Sequence, residues 1–211
     1  MAFLDEKVER YLNQLMPIKF PLLADLYQEG IEEDIPIIQV PSLKLIEIFL
    51  NIIKPEIVIE VGTAIGFSAI WLATACPNAV IHTIERKPEM ISKAKNNIEM
   101  ANLSSRIILH EGDAIYILPT LPKSELIFID AAKGKYKEFF ELAFPLLNVG
   151  GVFIFDNILF RGFIADEEIV YTKPMLRKIR EFNDVLKNNE KILTSFIPIG
   201  DGLAVSYKLE D

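Results

Sequence analysis

The sequence predicts an α/β fold: a doubly wound, mostly parallel sheet of seven strands with an antiparallel strand at the C-terminus. Three observations carry this. From residue 56 onward short apolar runs alternate with helical segments, the rhythm of right-handed βαβ crossovers with helices on both faces of a sheet. Two of the runs, Leu126–Ile129 and Val152–Phe155, look buried and end in acidic residues, Asp130 and Asp156, as strands of open α/β sheets do at their ligand-binding edge. The chain closes on KILTSFIPI and LAVSYKL joined through Gly200-Asp201-Gly202, a tight connection that reverses the last strand.

Taken in order, residues 3–15 place Leu4, Val8, Tyr11, Leu12 and Leu15 on one helical stripe. A second helix is expected from about Leu22 to Glu33. Ser42, after Pro41, is placed to cap a third helix through about Ile53, stopped by Pro55. The regular part follows: strand 56–61, helix 66–75, strand 80–85, helix 88–101, strand 106–110, short helix 113–118, strand 126–130, helix 136–147 and strand 151–156. Residues 157–172 are expected to be a long irregular segment, functional or mobile as such loops usually are. A helix at about 173–188 precedes the closing strands. No repeat or credible linker interrupts the chain, so 1–211 is expected to be one domain, with the helices of residues 1–54 packing on or beside the sheet core.

At 211 residues, 51% hydrophobic and 25% charged, the chain can bury one sizeable core. Its single cysteine, Cys76, excludes an internal disulfide, and with only His82 and His110 it makes no familiar zinc spacing; both histidines fall in β-like runs. Charges among the first apolar residues are unlike a signal peptide, and the most apolar window, 35–53, is broken by Pro36, Gln39, Pro41, Lys44 and Glu47, unlike a membrane span. A cytoplasmic protein is expected. The net charge of −8 argues against broad coating of nucleic acid, although a local basic rim is compatible with it. Lys133, Lys135 and Lys137 form one candidate rim; Arg161, Lys173, Arg177, Lys178 and Arg180 form another, for which a solvated helix face is the plainer account.

If the strands preceding Asp130 and Asp156 are parallel neighbours, the side chains of Asp130, Asp156 and Asn157 emerge together. Three hard oxygen donors suit Mg²⁺ or Ca²⁺ and leave positions for water or substrate; alternatively each Asp merely ends a strand or caps a helix. In EVGTAIGFSAIWLA, residues 60–73, a strand passes through a glycine turn into a helix. A dinucleotide fingerprint counted from Gly62 would need glycine at Ala64 and Phe67, and a Gly-Lys-Ser/Thr loop is absent. Gly62 and Gly66 nonetheless let a ligand approach the backbone, and the helix start favours a carboxylate. Glu85 ends the second strand where a carboxylate would receive both hydroxyls of a ribose. Asp113 could meet an adenine edge, or equally cap the short helix after it. Glu60, Glu85 and Asp113 on successive strands fit a nucleoside cofactor that lacks phosphates.

With EVGTAIGFSAIWLA, the acidic end of TIERKPEM, EGDA, IDAAKGKY and FDNILFRG in this order, the chain from about Ile37 onward resembles the class I S-adenosylmethionine-dependent methyltransferases, which are Rossmann-like. Within them it resembles the metal-dependent O-methyltransferases related to catechol and caffeoyl-CoA O-methyltransferases. The resemblance implies that Glu60, Gly62, Ser68, Glu85, Asp113, Ala114, Asp130 and the backbone near Val40 hold S-adenosylmethionine. It implies that Asp130, Asp156 and Asn157 hold a divalent metal, Mg²⁺ in the first instance. Lys133, three residues after Asp130, falls where catechol-type enzymes carry the lysine regarded as the base, or else pairs with a substrate anion. DAAKGKY and DNILFRG look most like the bacterial branch that methylates 5-hydroxyuridine at the tRNA wobble position, giving 5-methoxyuridine. The phenolic branch usually has Trp after DN-x-L, where this chain has Phe160-Arg161. The partner implied is therefore a tRNA anticodon loop, met by Arg161 and Lys133–Lys137. A small catechol or caffeoyl-CoA-like phenol is the alternative acceptor, and a non-catalytic S-adenosylmethionine sensor is the alternative of another class. The family also implies a homodimer.

Overall fold

The computed structural model describes residues 6–211. Three helices come first: α1 (Glu6–Leu15), α2 (Pro21–Glu32) and α3 (Val40–Ile53). The alternating part is β1 (Ile57–Val61), α4 (Phe67–Ala75), β2 (Val80–Glu85), α5 (Pro88–Met100), β3 (Ile107–Glu111), α6 (Ala114–Ile117), β4 (Ser124–Ile129), α7 (Tyr136–Ala143) and β5 (Leu147–Phe155). It closes with α8 (Glu167–Thr172), α9 (Pro174–Asn188), β6 (Ile192–Ile197) and β7 (Leu203–Lys208). The seven strands lie in the order β3-β2-β1-β4-β5-β7-β6. Only β7 runs antiparallel, pairing β5 on one side and β6 on the other.

The order reverses between β1 and β4. After β1 the chain winds outward through β2 and β3, and then returns to place β4 and β5 on β1's other flank. Such a reversal opens a crevice at the carboxyl edge of the strands. Register fixes what meets there: Val61 pairs with both Ile84 and Ile129, and Ile129 pairs with Phe155. The residues that follow those four are Gly62, Glu85, Asp130 and Asp156, so the acid-tipped strands are parallel neighbours in step.

Because strand side chains alternate, each buried strand feeds two cores. Leu126 and Phe128 of β4 join Val58, Ile81 and Ile154 under α2, α3 and α4, with Leu43, Ile46, Leu50 and Phe67. Ile127 and Ile129 join Ile59, Phe153 and Phe155 under α7 and α9. There Phe182 of α9 stands edge-on to Phe155 with centroids 4.8 Å apart, and Phe140 of α7 is edge-on to both Phe153 and Phe155. Edge-to-face pairs of this kind contribute beyond the area they bury.

Two expectations are corrected. Residues 157–172 are not irregular: Phe160–Ala165 form a 3₁₀ segment and α8 follows, capped by the Asp166 side chain accepting the Ile169 N–H at 3.0 Å. Arg161 and Gly162 interrupt that segment with φ of 55° and 80°, which is why no helical period announces it. The helix expected over 136–147 stops at Ala143, where a 3₁₀ turn through Pro145 leads into β5. Of the N-terminal helices, α2 and α3 send Leu23, Leu26, Leu43, Ile46 and Leu50 into the core, and the segment after α2 approaches the strand tips, whereas α1 leaves Val8, Tyr11 and Leu15 exposed, as α3 leaves Ile48 and Ile52. Leu4 and the start of the expected first helix lie outside the described residues.

One buried charge ties the chain end to the sheet. Lys208 of β7 is fully buried, and its Nζ donates to the carbonyls of Phe144 and Leu147 at 3.1 and 2.8 Å and to Asp211 at 2.7 Å. Those carbonyls belong to the first residue of the 3₁₀ turn and the first residue of β5. Lys208→Met is expected to lower unfolding stability by about 1–3 kcal/mol, because the carbonyls keep their burial and lose their donor. Urea midpoints would measure this, and an unchanged midpoint would show that the carbonyls find other partners.

Candidate functional site

Two cavities meet at the strand tips. The larger, of about 590 Å³, is lined by Gly62, Thr63, Ala64, Ser68, Glu85, Asp113, Ala114, Asp130, Lys133 and Lys135, with Ile37 and Ile38 from the segment after α2. The smaller, of about 440 Å³, is lined by Asp130, Asp156, Asn157, Arg161 and Asp201, with Tyr27, Gln39 and Ser42 opposite. Asp130 belongs to both and stands as the wall between them.

The larger cavity is shaped by the glycine turn. Gly62 has φ +107°, and a Cβ there would lie 2.1 Å from the Asp130 carbonyl oxygen, so no other residue lets β1 and β4 close up at this point. Glu85 fastens the turn: one carboxylate oxygen accepts Ala64 N–H at 2.9 Å, the other the N–H groups of Arg86 and Lys87 at 2.9 and 3.0 Å. Asp113 caps α6 through Ile115 N–H at 3.1 Å, so the capping alternative is realised at a residue that also lines the cavity. The Ile115 amide, then Lys135 and Arg86, hold its carboxyl below the usual range. Val40 does not line either cavity; it is buried in the apolar core, two residues beyond Ile38.

Glu60 lies beneath this floor with no exposure. It accepts the Thr83 hydroxyl at 2.5 Å, and Thr83 is itself 2.5 Å from the Thr63 hydroxyl. Its second oxygen has no well-formed partner, although Ser68 is near enough to favour the charged form. Burial dominates and pushes the carboxyl up to about 7, with the charges of Asp130 and Glu85 adding to the shift.

In the smaller cavity Asp130, Asp156 and Asn157 come together as the sequence expects. Asp130 and Lys133 form a salt bridge, and the Lys133 ammonium also lies over the Tyr136 ring at 5.7 Å. Asp156 is 4% exposed; it accepts the N–H of Asn157 at 2.8 Å, and its own carbonyl receives the Tyr136 hydroxyl at 2.8 Å. Burial and the charge of Asp130 push its carboxyl well above the usual range, against the opposing pull of Lys133. Two carboxylates crowded in this way, with one lysine paired to Asp130, favour an added positive charge. Among the described residues no three acidic, imidazole or thiol side chains are placed to hold a metal ion by themselves. A cation here would therefore take two carboxylates and the Asn157 amide oxygen, and complete its shell from water or a ligand, as Mg²⁺ does. The donor set fits.

Asp201 was read from sequence as part of a turn, yet it lies in the site. The amide of Asn157 donates to it at 3.3 Å, and Arg161 Nε stands 3.8 Å away. The segment 34–37, which lines both cavities, was missed too, because nothing local marks a linker as a wall. The structure also joins the two basic groups: Lys178 of α9 lies across Gly134, where a Cβ would stand 3.5 Å from its Cδ. Lys133 and Lys135 thus line the larger cavity with Lys178 packed against the turn that carries them, and Arg161 lines the smaller cavity.

Comparison with known proteins agrees with this geometry. Residues 17–209 match the model of a family described as O-methyltransferase. A catechol O-methyltransferase of Niastella koreensis is 32% identical over 195 residues, 89% of this chain and 87% of that protein. A caffeoyl-CoA O-methyltransferase of Populus kitakamiensis is 27% identical, over 79% of this chain and 75% of its own length. The crystal structure of an O-methyltransferase from Bacillus cereus in complex with SAH superposes with a TM-score of 0.85 at 25% identity, covering 96% of this chain and 97% of the other. With almost its whole length matched in sequence and in fold, the chain belongs to the O-methyltransferase family.

Proposed function

We propose that the protein transfers the methyl group of S-adenosylmethionine to an acidic hydroxyl flanked by a second oxygen, in a reaction that depends on a divalent cation. The observation that carries this is Asp130, which belongs at once to a cavity of nucleoside size and to an acid-lined cavity beside it. Methyl transfer needs the acceptor oxygen in line with the S–CH₃ bond, so positioning across a shared wall does much of the catalysis. A bound Mg²⁺ would supply Lewis-acid stabilisation of the ionised acceptor, and S-adenosylmethionine the methyl group. The chain's own residues do the rest. Asp130, Asp156 and Asn157 would hold the cation; Lys133, tethered to Asp130, would take the acceptor's proton at Nζ only as the neutral amine, after releasing its own ammonium proton to solvent; Glu60, Gly62, Ser68, Glu85, Asp113 and Ala114 would seat the cofactor. The segment after α2 closes both cavities from above and excludes water from the transfer.

For the acceptor, the 5-hydroxyuridine of a tRNA anticodon loop is supported by the basic rim of Lys135, Lys178 and Arg161 on a chain of net charge −8. It is supported also by a cavity in which Tyr27 is the one lining aromatic among the described residues. Loop bases are partly unstacked already and enter such a cavity at low cost. The second reading, a small catechol or phenol, is supported by the names of the relatives above. Undermodified tRNA and catechol, each incubated with protein, labelled cofactor and Mg²⁺, separate the two: label is expected in tRNA nucleosides, and to vanish with EDTA. Lys133→Ala is expected to lose transfer while still binding SAH. Label in catechol alone would give the phenolic reading, and no label in either would favour a cofactor sensor.

Glu60 gives a pH signature. Its carboxyl stands at about 7 in the folded chain against 4.5 for a free one. A raised value means that its contribution to stability is fully present below pH 4.5 and is lost as pH rises through 7. Glu60→Gln cannot ionise. The melting temperature of the ligand-free wild type should therefore fall relative to the variant between pH 5 and pH 8, by something of the order of 5 °C for a chain of this size. A constant difference would mean that Glu60 is ionised throughout.

A homodimer is the last part of the proposal. Val8, Tyr11 and Leu15 of α1 with Ile48 and Ile52 of α3 leave apolar surface open, and a second copy would cover it. Sedimentation should give twice the chain mass, reduced to one in Tyr11→Glu/Ile52→Glu; a monomeric wild type would end the idea.

A further inference from the structure

We propose that Asp201 is a positioning residue: it turns the amide of Asn157 so that its oxygen, not its nitrogen, faces Asp130 and Asp156. The inference rests on reading those three residues as a cation site. A carboxylate accepts hydrogen bonds and cannot donate them, so the Asn157 side chain must offer its NH₂ to Asp201, as it does at 3.3 Å. The amide oxygen, on the other branch of Cγ, is thereby turned away from Asp201. Were the amide reversed, its oxygen would face a carboxylate, and the cavity would be left with a donor where it needs an acceptor. Outer partners that orient a ligand in this way are a recurrent part of metal sites.

The backbone explains why the partner comes from a distant hairpin. Asn157, Phe160 and Arg161 all have left-handed φ, 60°, 42° and 55°, a conformation that side chains other than glycine adopt only under constraint. The β6–β7 connection supplies that constraint through its main chain. The Asp201 carbonyl accepts the N–H groups of Leu159 and Phe160 at 3.2 and 3.1 Å, and the Gly202 carbonyl accepts that of Ile158 at 3.0 Å. Gly202, at φ +91°, would place a Cβ 2.5 Å from Leu159, so glycine is what allows this approach. None of these grips uses the Asp201 side chain. Its carboxylate is free to serve the site, holding Asn157 and, at 3.8 Å, Arg161.

The test is Mn²⁺ binding, followed by electron paramagnetic resonance and calorimetry, in the wild type, Asp201→Ala, Asp201→Asn, Asn157→Ala and the Asp201→Ala/Asn157→Ala double variant. SAH affinity serves as the control for an intact fold. Asp201→Ala should weaken Mn²⁺ by roughly ten- to a hundredfold and leave SAH affinity within about twofold. Asp201→Asn, whose amide oxygen still accepts from Asn157, should regain most of the loss. The double variant should bind no worse than Asn157→Ala alone, because both substitutions remove the same contact. Wild-type affinity in Asp201→Ala beside a weakened Asn157→Ala overturns the proposal. So does Asp201→Asn as weak as Asp201→Ala, or additive losses in the double variant, since either would mean that Asp201 acts by charge alone. A wild type that binds no Mn²⁺ sinks the cation reading beneath it, and the inference with it.

Discussion

Two carboxylates held side by side in a poorly solvated cleft are the constraint around which this molecule is organised. Asp130 and Asp156 end neighbouring strands in step, and the hydrogen bonds of the sheet run on past the strands to their own amides, from Asp130 N–H to Val61 and from Asp156 N–H to Ile129. Neither can move apart without breaking the ladder. Burial, then the charge of Asp130, raises the cost of ionising Asp156, and Lys133 offsets only part of it. Left alone, the site favours a proton or a cation, and this is what makes it chemically useful. The acid pair is a cost that the two apolar cores on either side of the sheet support.

The reversal of strand order places this pair beside the cofactor cavity rather than elsewhere. Outward winding through β2 and β3 brings Glu85 and Asp113 to one flank; the return to β4 and β5 brings Asp130 and Asp156 to the other. Gly62 closes the seam so tightly that the Asp130 carbonyl sits where a side chain would be. On the proposed reading, a donor in one cavity and an acceptor in the other would meet across Asp130, which lines both.

Charge is distributed with the same division. The average charge is acidic, whereas the larger cavity is lined by Lys133 and Lys135 of the turn before α7, with Lys178 of α9 against that turn at Gly134. A polyanionic acceptor would be steered there and repelled elsewhere, which gives orientation more than affinity. The exposed apolar residues of α1 and α3, Val8, Tyr11, Leu15, Ile48 and Ile52, line neither cavity.

The strand rhythm, the acid tips at Asp130 and Asp156 with Asn157, and the glycine turn at Gly62 were legible in the chain, because each is set by local periodicity or by residues adjacent in sequence. The closing hairpin was legible for the same reason. What the sequence could not give was which residues become neighbours when strands 5 and 7 pair. Asp201 lies 44 residues from Asn157, and Lys178 reaches Gly134 only because α9 folds back over the turn. The structured turn at 160–165 escaped notice because φ is positive at three successive positions, Phe160, Arg161 and Gly162, and it is held by carbonyls of a distant hairpin. Periodicity and turn chemistry decide the elements; the meeting of distant side chains is decided by packing, which no local pattern encodes.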